Sequence, residues 1–224
     1  MNLKFICSEG FEAAGDICDR MQGYLPNLIG KIEIVRSDAF KGIFNFQDIL
    51  PMVESAVRPD WEREIVMVVI YGSLYFADLE MFEPVAMTLD YLPSKESRGK
   101  DFLSERPKIG GLLLPNNMSE ETRDNAEYWA KTGVEEILHY FGIPEQHNEN
   151  CFFHAKEFGK ATLEDCWKNY CPKCREFMRQ LKYPLDFEKL FVKMEEIYEI
   201  KAERRGWKEI LRNCFHRFVS VKNK

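Results

Sequence analysis

The spacing of apolar residues along the first half of the chain alternates between strand-like and helix-like. Apolar side chains at every second position predict strands, whereas spacings of three and four positions predict amphipathic helices. The predicted strands are 3–7, 31–35, 64–71, 85–91 and 109–114, and the predicted helices are 11–24 and 46–57. The run at 64–71 is almost continuously apolar, which is typical of a strand buried on both faces. This order of strands and helices predicts a layered α/β sheet.

The second half of the chain carries mostly helical spacing. Ser119, followed by two glutamates, has the features of a helix start, and apolar residues through Phe141 fall on one face. These residues predict a single central helix that stops at Gly142. Further amphipathic helices are predicted at 186–203 and 207–219, and residues 93–107, which lack periodicity, are predicted to form a mobile surface loop.

Composition and charge narrow the class of protein. The chain has 224 residues, 45% of them hydrophobic and 30% charged, which fits one globular domain with an appendage. We expect a main domain at residues 1–182 and a helical extension at residues 183–224. The net charge is −6, whereas nucleic-acid-binding proteins usually carry a basic surface, so no nucleic-acid partner is expected.

No segment of the sequence suggests export or membrane insertion. The apolar stretch at the N-terminus is too short for a signal peptide, and Ser8 and Glu9 follow it at once. The longest apolar run, residues 65–71, is about a third of the length that a membrane span needs. We therefore expect a cytoplasmic protein that does not bind membranes.

The cysteines are concentrated in one region. Four of the seven fall between residues 151 and 174, and in a reducing compartment such clustering indicates a metal before a disulfide. Cys171 and Cys174 form a CxxC turn that can direct two thiolates at one ion, and Cys151 is close enough in sequence to supply a third. Structural zinc takes four ligands. The candidates for the fourth are His147, His154 and Cys166.

Two other interpretations of the cysteine region compete with zinc. The thiols can be buried apolar groups without a metal, because free cysteine is among the most buried residue types. A CxxC motif that opens a helix can also be a redox pair, although no predicted strand directly precedes Cys171 as in thioredoxin-like units.

A second cluster of possible ligands lies at the end of the central helix. Glu135 and His139 are four positions apart and so project from one helix face, with Glu136 beside them. Glu145 follows the turn at Gly142 and can return a third ligand to the same metal. From these residues alone, solvated charge at a helix end is the more common explanation of such a pattern.

The spacing of both clusters resembles the archaemetzincins, whose motif is HExxHxxGxxHC, four residues, CxM, seventeen residues and CxxC. Glu136, His139 and Gly142 occupy the second, fifth and eighth positions without a gap. Cys151 then follows at the expected offset, and the CxxC of Cys171 closes the pattern. The resemblance covers about forty residues, and the α/β order of residues 1–118 is similar to a metzincin N-terminal subdomain. It implies a metzincin-like mixed twisted sheet with a central active-site helix and a zinc-bound loop region. The predicted C-terminal helices complete this fold class, but the resemblance does not explain them.

In that family three histidines bind a catalytic zinc ion, the glutamate is the general base, and four cysteines hold a structural zinc ion. This sequence differs at four positions: Glu135 and Glu145 replace two of the histidines, Gln146 replaces a cysteine, and Phe153 replaces the methionine. The resemblance thus implies a doubtful catalytic set of Glu135, His139 and Glu145 with Glu136 as base. It also favours His147 as the fourth structural ligand, because His147 adjoins the missing cysteine and neutral imidazole binds zinc well.

These departures weaken the expectation of catalysis. A zinc ion bound by two carboxylates and one imidazole has its charge formally cancelled, so it polarises water less than a three-imidazole site does. We expect a non-proteolytic protein with one structural zinc ion, whose former substrate groove binds a peptide or protein ligand or only supports the fold. The alternatives are a metallohydrolase that uses zinc, manganese or iron with Glu136 as base, and a thiol-based redox protein.

Overall fold

The computed structural model describes residues 1–75, 86–89, 107–114, 118–141, 150–153 and 168–198. Within these ranges the strands are β1 (Asn2–Cys7), β2 (Ile32–Arg36), β3 (Lys41–Asn45), β4 (Glu64–Tyr75), β5 (Ala86–Leu89) and β6 (Ile109–Leu114). The helices are α1 (Ala14–Tyr24), α2 (Phe46–Val57), α3 (Glu120–Arg123), α4 (Ala126–His139), α5 (Pro172–Gln180) and α6 (Phe187–Tyr198). In this part of the chain, every helix is too short or too polar to cross a membrane.

The strands form one mixed sheet in the order β2-β1-β4-β6-β5. All neighbours along this path are parallel except β5 and β6, which are antiparallel. Strand β4 is long enough to pair with β1 along its first half and with β3 along its second half. The expected mixed α/β sheet is therefore confirmed, with β4 at its centre.

Alternation along β4 divides the core between the two faces of the sheet. Ile65, Met67 and Val69 face the layer that contains α1 and α4, whereas Val66, Val68 and Ile70 face α2. All six side chains are fully buried. Because successive side chains of a strand point to opposite faces, a strand covered by helices on both sides must be apolar at every position. This explains the continuous apolar run in the sequence.

Helix α4 is enclosed on all sides. Every residue from Tyr128 to Leu138 is buried, including Lys131, Glu135 and Glu136. The helix lies close to α1 and to β6, where Gly133 and Gly110 leave room for the side chains of Met21 and Met67. Such close contact places Glu136 directly against the sheet.

Several elements differ from the sequence prediction. The single central helix predicted from Ser119 is two helices, because Ser119 caps α3 and the Asn125 side chain accepts a hydrogen bond from the Tyr128 amide to begin α4. The indole of Trp129 joins the two helices by donating to the Thr122 and Arg123 carbonyls at 2.9 and 3.0 Å. Strand β3 and helix α5 were not predicted, and β4 extends beyond Tyr71.

The segment after residue 182 packs against the main core as far as it is described. Leu190 and Tyr198 of α6 are buried in the same apolar cluster as α1, α4 and α5. The predicted domain boundary stays a prediction. The predicted helix at 207–219 and residues 93–106 of the predicted loop lie outside the described residues.

Candidate metal centre

Three cysteine thiols meet in the interior of the protein. The Sγ atoms of Cys151 and Cys174 are 3.8 Å apart, and those of Cys171 and Cys174 are 3.3 Å apart. All three side chains are buried, and their sulfur atoms lie within 4.8 Å of one another. Zinc–sulfur bonds of about 2.3 Å in a tetrahedron require sulfur atoms roughly 3.8 Å apart. The cluster therefore fits three corners of a tetrahedral zinc site with small adjustments.

Two chain segments build this cluster and hold each other in place. Cys171 is the N-cap residue of α5, Pro172 occupies the first helical turn, and Cys174 follows one turn later. The amide of Cys171 donates to the Cys151 Sγ atom at 3.3 Å, and the amide of Phe152 donates to the Asn169 carbonyl at 3.2 Å. Proline at a helix start is favoured because its missing N–H has no helical partner. The CxxC turn is thus a helix start that directs both thiols towards Cys151.

Buried contacts connect the cluster to α4. The ammonium group of Lys131 donates to the Lys168 carbonyl at 2.9 Å and forms an ion pair with Glu127 at 3.2 Å. The hydroxyl of Tyr170 donates to the Lys131 carbonyl at 3.3 Å, and its ring contacts that of Phe153 with centroids 4.8 Å apart. The segment that leads into Cys171 is therefore fixed to the central helix.

The surroundings of Cys174 favour its neutral thiol when no ion is bound. The hydrogen bond with Cys151 and then burial raise the pKa of the Cys174 thiol, while the hydroxyl of Tyr198 has a smaller opposing effect. A thiolate here needs a positive partner, because charge in a buried site is costly. Binding of a divalent ion would supply that partner and would release protons.

The C-terminal end of α4 carries a second group of potential metal ligands. The His139 Nε2 atom lies 3.6 Å from the Glu135 Oε1 atom, and Glu135 is 8% exposed whereas His139 is 47% exposed. Glu136 is 4% exposed, and a Cβ atom added at Gly110 of β6 would lie 3.3 Å from the Glu136 Cβ atom. The structure thus brings Glu135 and His139 together on one helix face, as the spacing predicted, and places Glu136 between α4 and the sheet.

Several predicted ligands fall outside the described residues. They are Glu145, His147, His154 and Cys166. The fourth ligand of the cysteine site and the third ligand of the α4 site therefore stay predictions. Within the described ranges, Cys151, Cys171 and Cys174 are the one group of three or more potential ligands close enough to share an ion.

Two residues of this centre were not predicted from the sequence. Lys131 looked like an ordinary polar position of an amphipathic helix, yet it is 2% exposed. Tyr198 donates a hydrogen bond to the Cys174 Sγ atom at 3.4 Å. The four-residue spacing from Leu190 through Met194 to Tyr198 predicts that Tyr198 faces the core. The sequence gives no signal for its sulfur partner.

The mixed sheet, the central helix α4 and the adjoining helices form an α/β fold that is similar to those of two solved structures. The chain is similar to a zinc-dependent peptidase from Methanocorpusculum labreanum, with a TM-score of 0.51 and 13% sequence identity over 80% of this chain and 100% of the other. It is also similar to an archaemetzincin from Archaeoglobus fulgidus in complex with malonate, with a TM-score of 0.44 and 12% identity over 79% of this chain and 99% of the other. No protein-family model and no curated protein matches the sequence.

Proposed function

We propose that this chain is a zinc-binding protein with an archaemetzincin-like fold, which holds one structural zinc ion and does not hydrolyse peptides. The observation that carries the proposal is the convergence of Cys151, Cys171 and Cys174 in a buried cluster of tetrahedral dimensions. The zinc dependence of the Methanocorpusculum peptidase, which has a similar fold, supports zinc as the ion. We further propose His147 as the fourth ligand, with His154 and Cys166 as alternatives.

The chemistry at the end of α4 supports the absence of hydrolysis. The buried carboxylate of Glu135 stands where a catalytic site would have an imidazole, and it contacts His139 directly at 3.6 Å. A zinc ion bound by His139, Glu135 and Glu145 would have no net charge to activate water. In this proposal the former substrate groove binds a peptide or a partner protein. A reducing compartment such as the cytoplasm would preserve the thiols.

The proposal predicts one zinc ion per chain. The protein should be purified without added metal or chelator and its metal content measured by elemental mass spectrometry. The seven cysteines and nine methionines supply the sulfur that fixes the protein concentration. One zinc ion per chain is the expected result. Protein that contains no zinc and takes up none on reconstitution would contradict the proposal, and two metals per chain would favour a catalytic site.

A metallohydrolase is the second candidate, because Glu135 and His139 lie side by side and Glu136 is next to them. In that mechanism Glu136 would remove a proton from a metal-bound water, so Glu136→Gln should abolish peptide cleavage and leave the metal content unchanged. The matched control is Glu121→Gln, which changes an exposed glutamate at α3.

We expect no cleavage of a peptide library by the wild-type protein or by either variant. Cleavage that Glu136→Gln abolishes and Glu121→Gln preserves would establish the second candidate instead. Cleavage that survives both substitutions would contradict Glu136 as the base.

A further inference from the structure

Helix α6, in the segment after residue 182, contacts the cysteine cluster through one side chain. Tyr198, at the C-terminal end of the described part of α6, is 1% exposed, and its hydroxyl donates to the Cys174 Sγ atom at 3.4 Å. Its ring lies edge-on to Phe177 of α5 with centroids 6.1 Å apart. Leu190, two turns earlier on α6, is also buried in the same core. The contact between α6 and the cluster is therefore made by a polar group within an apolar interface.

The hydrogen bond from Tyr198 to Cys174 is of the kind that surrounds the ligands of a metal site. A metal-bound thiolate keeps lone pairs that accept hydrogen bonds, and a donor to charged sulfur forms a stronger bond than a donor to a neutral thiol. Outer-shell hydrogen bonds orient the ligands and tune the metal.

We propose that Tyr198 is a positioning residue of the zinc site and that zinc binding and the docking of α6 stabilise each other. This inference rests on the proposed structural zinc. A zinc-bound thiolate at Cys174 would accept a charge-assisted hydrogen bond from the Tyr198 hydroxyl, and this stronger bond would hold α6 more firmly. By thermodynamic reciprocity, the same hydrogen bond strengthens zinc binding.

The first test compares Tyr198→Phe with Tyr183→Phe. Both substitutions remove one hydroxyl from the segment after α5, but Tyr183 is 41% exposed, whereas the Tyr198 hydroxyl contacts Cys174. Zinc affinity is measured by competition with a chromophoric chelator. We expect Tyr198→Phe to weaken zinc binding by about 10- to 100-fold and Tyr183→Phe to leave it unchanged.

Replacing zinc with cobalt gives an absorption band that reports on the thiolate ligands and that a general loss of packing does not shift. A hydrogen bond lowers the energy of the sulfur lone pair, so its loss should shift the thiolate-to-cobalt charge-transfer band of Tyr198→Phe to longer wavelength. The Tyr183→Phe band should match that of the wild type. An unchanged band and an unchanged affinity in Tyr198→Phe would overturn the inference.

Hydrogen exchange on the wild-type protein tests the coupling without any substitution. We expect the amides of α6 to exchange faster after zinc is removed with a chelator, and the amides of β4 to change less. Equal exchange in α6 with and without zinc would overturn the coupling. Wild-type protein that binds neither zinc nor cobalt through its thiols would instead overturn the proposed function, so the two failures are distinguishable.

Discussion

Replacing Cys174 by serine should release the zinc ion and destabilise the protein by several kcal/mol. Cys174 is fully buried, and its sulfur contacts both other thiols and the Tyr198 hydroxyl. A structural zinc ion contributes its binding free energy to folding, and serine is a poor substitute for a thiolate ligand. The expected loss is on the order of 3 to 5 kcal/mol in the free energy of unfolding, measured by urea denaturation together with zinc content.

Cys18→Ser is the matched control for that substitution. Cys18 is 2% exposed and lies on α1, outside the three-thiol cluster, so the change buries the same hydroxyl without removing a ligand. We expect Cys18→Ser to lose stability but to keep one zinc ion per chain. If Cys174→Ser retained both its zinc and its wild-type stability, Cys174 would not be a ligand.

The second large effect is expected in the sheet, at Gly72 of β4. Gly72 has φ of +136°, and a Cβ atom built there would lie 1.9 Å from the carbonyl oxygen of Gly42 on β3. The two glycines are paired in the β3–β4 ladder, so neither backbone can move away without breaking the sheet. Gly72→Ala should therefore lower the free energy of unfolding by roughly 4 kcal/mol, from backbone strain and steric overlap together.

Gly15→Ala makes the same chemical change where there is room for it. Gly15 lies in α1, and no atom outside the helix backbone is within 4 Å of the added methyl group. Alanine is favoured over glycine in helices, so this variant should gain up to about 1 kcal/mol. Urea denaturation of both variants checks the prediction, and equal stabilities would show that the β3–β4 ladder accommodates a side chain.

The sequence predicts most of this fold wherever one residue pattern dominates. The apolar run at 64–71 predicts a central strand because both of its faces are covered by helices, and the period of 46–57 predicts α2 without error. The sequence does not predict strand β3, because its apolar residues occupy only two adjacent positions, which show no alternation, and it contains Gly42. The sequence pattern does not predict the break between α3 and α4. The break depends on Asn125, whose side chain caps α4 and so starts a new helix at that point.

In the candidate site too, sequence spacing predicts some contacts and misses those that depend on tertiary packing. The spacing of Cys151, Cys171 and Cys174 predicts that they share an ion, and the structure places their sulfur atoms within 4.8 Å of one another. The contacts of Lys131 with the Lys168 carbonyl and of Tyr198 with Cys174 join residues that are 37 and 24 positions apart. Such contacts follow from tertiary packing, for which the spacing of one sequence contains no information.

The origin of the three thiols in two separate segments has a consequence for chain entropy. An ion that joins Cys151 to Cys171 acts as a cross-link across twenty positions of the chain, in addition to forming bonds with sulfur. A covalent cross-link of that span restricts the unfolded chain and so raises the free energy of the unfolded state by about 3 kcal/mol. Unlike a disulfide, this cross-link would form without an oxidant and would be reversible by chelation. A zinc ion would thus let a protein with reduced thiols close a long loop where disulfides do not persist.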